Sequence, residues 1–347
     1  MRVRVLIQDN RQTVPRVLVT GVGGGVGQSV LKALQDAPVE TVAANADPRA
    51  AGLFAASRSY LVPNASTDPP DSFLEAILAI CTSEEIDLVV PAIEPELAVF
   101  ARAASDFASI GTQVLVSSPR VIAIGDDKYS TSQFLAAHGL PAPETQLLSP
   151  DGVIDRTWFP VVVKPRLGGA RSQGVHAVRH TRDWDRIRDS VDINNTIVQE
   201  LIEGEEYTCG TVTFGGKCFG SICMQRELRA GDTYRARVVV DEELEQFTRE
   251  LVETLRPHGP CNIQLRLRNG VPYVFELNPR CSGTTAARAL AGFNEPLAAV
   301  SWLLEGREPV LERRPMVVFR YWSEVALDTN EFERFRCTGY GTFPRRL

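Results

Sequence analysis

The sequence predicts a protein in two halves, an α/β domain built on a parallel sheet and then a part whose strands are joined by tight turns. Strands and helices alternate between residues 16 and 116, the pattern of βαβ units that assemble a parallel sheet. The second half instead joins strands through tight glycine turns, at Gly215-Gly216 and Asn269-Gly270, and such turns make neighbouring strands antiparallel. With 347 residues, 44% hydrophobic and 23% charged, the chain can bury a large core divided over two or three domains.

The first element is a short buried-type strand at 16–20. It runs into Gly21-Val22-Gly23-Gly24-Gly25-Val26-Gly27 and a helix from about 28 to 35. Strand, glycine turn and helix together aim backbone N–H groups and a helix N-terminus at an anion. Thr20-Gly21, Gly24 and Gly27 match the TGxxGxxG spacing of extended short-chain dehydrogenases, and Asp47 follows the next strand, 41–44, where a ribose-binding acid would sit. Against that reading, no tyrosine has a lysine four residues later, so the YxxxK catalytic pair is missing. A helix at 71–82 and a strand at 88–90 then lead into Pro91-Ala92-Ile93-Glu94-Pro95-Glu96. Glu94 and Glu96 lie just past a strand's C-terminal end, where open α/β sheets place ligands; an acid pair favoured by a helix dipole is the bland alternative. A strand at 114–116 and Ser117-Ser118-Pro119 end this domain.

Asp126-Asp127-Lys128 opens a helix through His138, stopped by Gly139-Leu140-Pro141-Ala142-Pro143. Residues 159–165 form a buried strand with one charge, Lys164, near its end; a charge left unpaired there is costly, so it needs a partner or a ligand. In the loop that follows, Gly168, Gly169, Ser172 and Gly174 permit close backbone approach to phosphate, and Arg166 and Arg171 add counter-charge. It is not a Walker A loop, because Gly-Lys-Ser/Thr is missing. A strand at 197–202 leads to Glu203-Gly204-Glu205-Glu206-Tyr207, and strands at 208–214 and 217–225 flank Gly215-Gly216. The segment 226–237 carries Arg226, Arg229, Arg235 and Arg237, a density of cations that suggests anion contact in an otherwise acidic chain, and a helix follows at 242–255.

Alternating runs at 263–267 and 271–277 flank Asn269-Gly270 and predict a β-hairpin. Glu276 and Asn278 are two apart and share a face. A two-residue loop would pair Gln264 with Phe275 and turn it away from them. A three-residue loop, Arg268-Asn269-Gly270, would pair Gln264 with Val274 and bring all three polar groups together; that is the register expected. Oxygen ligands from Gln264, Glu276 and Asn278 then suit Mg²⁺ bridging nucleotide phosphates. Helices at 286–291 and 297–304 follow, then a strand at 315–322 ending in Arg320-Tyr321-Trp322, whereas the tail at 332–347 has no readable period.

A net charge of -6 gives no reason to expect nucleic acid or an anionic membrane as partner. No apolar run approaches the roughly 18 residues that cross a bilayer. Residues 1–10 are too short and polar for a signal peptide and read as an added edge strand or a disordered leader. The 7 cysteines are scattered, with no CxxC spacing, and predict reduced, buried thiols in a cytoplasmic protein. Cys281 stands beside the polar hairpin, but no histidine lies near it in sequence. The four histidines form no ligand or triad pattern, and no GxSxG elbow is present.

Gln264 followed by Glu276-Leu277-Asn278-Pro279-Arg280 resembles the metal-binding core of the ATP-grasp superfamily, carbamoyl phosphate synthetase above all. Ser282-Gly283-Thr284-Thr285-Ala286-Ala287 and Ala291-Gly292-Phe293 continue the likeness. So do the Asp127-Lys128 helix entry with its glycine-proline exit, Val163-Lys164-Pro165 with its glycine-serine loop, and Gly204-Glu205-Glu206-Tyr207; together they extend over about 15–325. The resemblance implies a Rossmann-like domain at 1–118 that has lost its nucleotide. An ATP-grasp subdomain with a small lid at 119–196 and a C-terminal subdomain with the metal hairpin at 197–347 would follow it. It implies ATP held between two α+β subdomains, with Lys128 and Lys164 on the phosphates and the loop of Gly168, Gly169, Ser172 and Gly174 as a mobile lid. The main chain of Glu200, Leu201 and Ile202 would meet the adenine edge, and Glu206 the ribose hydroxyls. Mg²⁺ (or Mn²⁺) would lie on Gln264, Glu276 and Asn278, with the neutral Gln264 standing where the family often has an acid.

The chemistry so implied is attack of a carboxylate on the γ-phosphorus, then displacement of phosphate from the acylphosphate by an amine. Arg280 is placed to stabilise the acylphosphate and the oxyanion. Arg235, ranked above Arg320, is expected to face the substrate carboxylate, and Glu94 or Glu96 the amine. The partners expected are small-molecule carboxylates and amines, with a homodimer left open. An NAD(P)-dependent oxidoreductase and a non-catalytic ATP-binding sensor are the two competing functions.

Overall fold

The structure, a computed structural model, describes residues 14–344; the leader at 1–10 lies outside the described residues. Its strands form three sheets. The first has six strands in the order Tyr340–Thr342, Arg58–Leu61, Glu40–Asn45, Arg16–Thr20, Leu88–Val90, Gln113–Val114. All pairings within 16–114 are parallel. A parallel sheet is covered on both faces, and the alternation along the central strand distributes the cover. Val17 and Val19 pack with Val30, Leu31 and Leu34 around helix Gly25–Ala33. Leu18 packs oppositely with Phe73, Ile77 and Phe100, from helices Pro70–Ser83 and Glu94–Arg102.

The sixth strand comes from the tail. Tyr340 pairs antiparallel with Tyr60, and the preceding helix Thr329–Thr338 docks Phe335 against Phe54 and Phe343, ring centroids 5.5 Å from each. The unreadable C-terminus thus covers an edge of the first sheet, the kind of edge that folded proteins protect.

The second sheet is antiparallel throughout: Val271–Asn278, Gly259–Arg268, Glu205–Phe214, Lys217–Arg229, Asp232–Val239 and Val317–Phe319. One face, with Cys209, Cys223 and Ile263, packs on helix Glu242–Leu255 and on Val121, Phe134 and Leu135. The other face, with Val212, Phe214 and Ile222, packs on Phe293, Ala298 and Ala299. The third sheet, Thr145–Leu147, Thr196–Glu200, Val161–Pro165 and His176–Val178, has its own small core of Val161, Val163, Val178, Trp184 and Val198. This is the predicted combination of a parallel α/β domain with α+β units. No helix among the described residues is long and apolar enough to cross a membrane.

The hairpin at the edge of the second sheet departs from expectation. Arg268 pairs with Val271, so the loop has two residues, and Asn269 (φ 55°) and Gly270 (φ 80°) are both left-handed, as a type I′ turn requires. The polar groups converge by another route. Leu265 pairs with Val274 and Gln264 with Glu276, leaving Phe275 as the extra residue of a β-bulge. One extra residue flips the alternation, which returns Gln264 to the face of Glu276 and Asn278.

Candidate active site

A cleft of about 890 Å³ is lined by strands of the second and third sheets and by the loops and helix starts that follow strands Arg16–Thr20 and Leu88–Val90 of the first. Lys164 enters it from strand Val161–Pro165 and is 5% exposed. Its Nζ lies 3.4 Å from the carbonyl of the bulged Phe275 and 5.3 Å from the centre of that ring. Burial pushes the Lys164 ammonium down to about 8, against the pull of Glu276. Lys128 is the first residue of helix Lys128–Ala137, and its Nζ donates to the Gly168 carbonyl at 2.7 Å. The helix is capped by Asp127, which accepts from the Tyr129 and Ser130 amides and binds Arg166 through both carboxylate oxygens. Among the described residues, neither lysine has a carboxylate within ion-pair distance. Two buried cations resting on carbonyls make a receptor for an anion.

Along the cleft floor runs a continuous row of hydrogen bonds. Arg266 and Arg226 hold Glu206 between them at 2.5 and 2.6 Å. Arg226 also donates to Gln264 Oε1 at 2.6 Å. Gln264 Nε2 and Asn278 Nδ2 both donate to Glu276 Oε1, at 3.0 and 2.9 Å. Arg280 then donates through Nη2 to Asn278 Oδ1 at 3.0 Å and through Nε to Glu94 at 2.9 Å. Burial would raise the Glu94 carboxyl, but the adjoining guanidinium holds it below its ordinary value. Glu205, beside Glu206, instead accepts from the Tyr207 hydroxyl and does not line the cleft.

The loop after Lys164 carries Gly168, Gly169 and Ser172 to the cleft wall. Gly174 stands behind them, against Pro165, where a Cβ would come within 3.0 Å of the ring. Glu200, Leu201 and Ile202 line the opposite side; Glu200 pairs with Arg268 at 2.6 Å.

Two expectations are corrected. Glu96 does not reach the cleft: it is 4% exposed, accepts from Thr20, and is pushed up to about 8 by burial. Helical geometry separates it from Glu94, since residues two apart do not share a face. Arg235 is also outside. A bulge between Glu227 and Leu228 pairs Glu227 with Arg235 but Leu228 with Thr233, so Tyr234 is the extra residue. Thr233 lines the cleft while Arg235, which regular alternation would put on the same face, turns to solvent toward Glu227. Arg320 is the arginine that lines the cleft, with Nη1 on the Thr233 carbonyl at 2.9 Å.

Several cleft residues escaped the sequence reading. Arg266 is two residues from Gln264 on one strand, a signal that was available. Arg226 was only one of a cluster, and Asp126, Thr208 and Asn262 carried no signal. Nor did the ion pair behind the floor: Arg288 and Glu295, both 0% exposed, meet at 2.7 Å. Arg288 also donates to Asn262 and to Thr208. Gly24, Gly25 and Val26 face this same cleft, while Asp47 pairs with the neighbouring Arg49 at 2.9 Å, which leaves the dinucleotide reading unsupported. Cys281 is buried and its thiol is pushed up by that burial, the opposite of an activated nucleophile.

Comparison with known proteins agrees with this arrangement. The family model "ATP-grasp in the biosynthetic pathway with Ter operon" matches residues 192–325, and "PylC-like, N-terminal domain" matches residues 17–115. The carbamoyl phosphate synthase large chain of Thermomicrobium roseum is 27% identical over 198 residues, 52% of this chain and 18% of that protein. That of Thermoanaerobacter sp. (strain X514) is 24% identical over 300 residues, 78% of this chain and 27% of that protein. This chain therefore spans about a quarter or less of the length of these two relatives. The solved ADP complex of N5-carboxyaminoimidazole ribonucleotide synthetase superposes with a TM-score of 0.69 at 16% identity, covering 88% of this chain and 81% of that one. Two sheets and the first domain's loops around one cleft, two buried lysines above a carboxylate-amide-arginine floor, and family models matched over residues 17–115 and 192–325 converge on one likeness: the chain is similar to ATP-grasp proteins in fold and in these segments.

Proposed function

We propose that the chain is an ATP-dependent carboxylate–amine ligase that releases ADP and phosphate. The observation that carries this reading is the pair of buried, carboxylate-free lysines facing the floor row from Glu206 to Arg280. Phosphoryl transfer needs charge neutralised across the β- and γ-oxygens, and Lys128 and Lys164 supply two fixed cations for it. Glu206, gripped by two arginines, is set for the ribose hydroxyls, and the hinge of Glu200, Leu201 and Ile202 for the adenine edge. The carboxylate substrate takes the γ-phosphoryl group, giving an acylphosphate and ADP. The amine, having lost a proton, attacks the acyl carbon, and phosphate leaves with the C–O bonding pair. Arg280 is placed to stabilise the oxyanion that develops on the acyl oxygen, with Glu94 and Arg320 on the substrate side.

A divalent cation suits the floor. One carboxylate and two amides within hydrogen-bonding distance are a hard oxygen set for Mg²⁺ or Mn²⁺. The amides now turn N–H toward Glu276 and oxygen toward Arg226 and Arg280, so presenting oxygen to an ion would exchange those arginine contacts for the ion's. Such an ion would neutralise charge on the phosphates. We further place the enzyme in the cytoplasm, on the strength of seven unpaired cysteines, acting on small molecules either alone or as a homodimer.

The test is a screen of amino acids and organic acids, paired with amines, for stimulated ADP and phosphate release. Glu276→Gln should lower that turnover at least about 100-fold while the fold stays intact. Near-normal turnover of the variant at limiting Mg²⁺ would remove the hairpin from the metal site, and ATP binding with no stimulated release by any pair would favour a sensor.

A further inference from the structure

The two walls of the cleft beyond the phosphate site differ in charge. The wall from the first domain is formed by Gly25, Val26, Ala92, Ile93 and Ala98 around one charged residue, Glu94. No lysine or arginine of residues 14–118 lines the cleft among the described residues. Asp126 lines the same corner, and its carboxyl is raised above its ordinary value by burial and by the neighbouring Glu94 charge. The cations facing this corner are already engaged. Lys128 bonds the Gly168 carbonyl, and Arg280 bonds Glu94 through Nε and Nη2, Asn278 through Nη2 and the Cys281 carbonyl through Nη1. Every nitrogen of the guanidinium is thus donating in the free protein.

Resting on the ligase reading, we propose that this wall is the amine subsite, and that it takes a small unphosphorylated ammonium with an aliphatic body. Three features point to that class. Two carboxylates in one corner favour a cation. A wall of glycine, alanine, valine and isoleucine favours a compact apolar group, whose surface it removes from water. A phosphate placed there would be desolvated against carboxylates with no free cation to pair with it, which disfavours it. The occupant also acts on Arg280. An ammonium that engages Glu94 competes with the guanidinium for it, and so frees Arg280 donors for the oxyanion.

Ligand-observed NMR on the purified full chain tests this with isobutylammonium, methylammonium, isobutanol and O-phosphoethanolamine as probes, alongside a separate measurement of ATP binding. Isobutylammonium should bind at least tenfold tighter than isobutanol or O-phosphoethanolamine. Glu94→Gln should erase its advantage over isobutanol, and Ala98→Leu, which fills the wall, should weaken isobutylammonium while sparing methylammonium. Binding of O-phosphoethanolamine equal to or tighter than isobutylammonium, or no effect of either substitution with ATP binding retained, overturns the proposal. Loss of ATP binding in the unmodified chain would instead overturn the ligase reading itself.

Discussion

Replacing Arg288 with methionine tests an ion pair that is fully buried. Arg288 and Glu295 are both 0% exposed. The arginine spans from Glu295 to Thr208 and Asn262 on the cleft floor. Among the described residues, Glu295 has one other partner, the Thr285 hydroxyl. Removing the guanidinium leaves a buried carboxylate with that single donor, a change that costs about 3–5 kcal/mol. Methionine occupies similar volume, so the cavity adds little. At roughly 2 °C per kcal/mol for a protein of this size, the melting temperature should fall by about 8 °C. Leucine at Glu295 should cost a similar amount, whereas the double variant Arg288→Met/Glu295→Leu, with no charge left to desolvate, should return to within about 1 kcal/mol of the parent. Thermal and urea unfolding followed by tryptophan fluorescence measure the cycle, because Trp302 on the adjoining helix stacks on Phe214 at 5.7 Å. A single-variant loss below about 1 kcal/mol, or a double variant no better than the singles, would refute the reasoning. Gly210 reports on the same pocket: a Cβ there would sit 2.5 Å from Arg288 Nη1, so Gly210→Ala should mimic Arg288→Met.

Four further outcomes follow from the cleft and its surroundings. Lys164 is held at about 8 by burial, and a phosphate opposite it favours the charged form, so ATP affinity should be full below about pH 8 and fall by up to about tenfold per unit above it; Lys164→Met should flatten that profile in calorimetric titrations. Glu96 is raised from 4.5 to about 8 by burial, so the folded state holds a proton that the unfolded state releases. Stability should therefore decline as pH rises from about 4.5 to about 8, by about 3 kcal/mol at pH 7, and Glu96→Gln should remove most of the decline in a series of melts. Arg320→Lys should depress turnover while sparing ATP binding, because a bidentate guanidinium is not replaced by an ammonium. Arg235→Lys, exposed and facing Glu227, should leave kcat and KM within twofold, and a larger loss there would restore it to the substrate site.

The sequence by itself determined the elements and most of the chemistry on them. Local period and turn residues set the parallel units of the first sheet, the Asn269-Gly270 hairpin, and the strand that delivers Lys164. Identity along a strand placed Glu276 with Asn278, because side chains two apart share a face wherever the ladder is regular. What only the tertiary structure decided lies where the ladder is not regular, or where partners are far apart in sequence. One bulge at Phe275 returned Gln264 to the face of Glu276 and Asn278 despite a two-residue loop, and another at Tyr234 turned Arg235 outward and left Arg320 in the cleft. A bulge is selected by packing against neighbouring strands and leaves no period of its own, so no local pattern announced either one. The Glu94–Arg280 contact spans 186 residues and the tail strand reaches back from Tyr340 to Tyr60. The Arg288–Glu295 pair is close in sequence, but its burial depends on the sheet beneath it. Those contacts exist because separate elements close on one another, and their free energy belongs to that closure rather than to any stretch of chain that can be read alone.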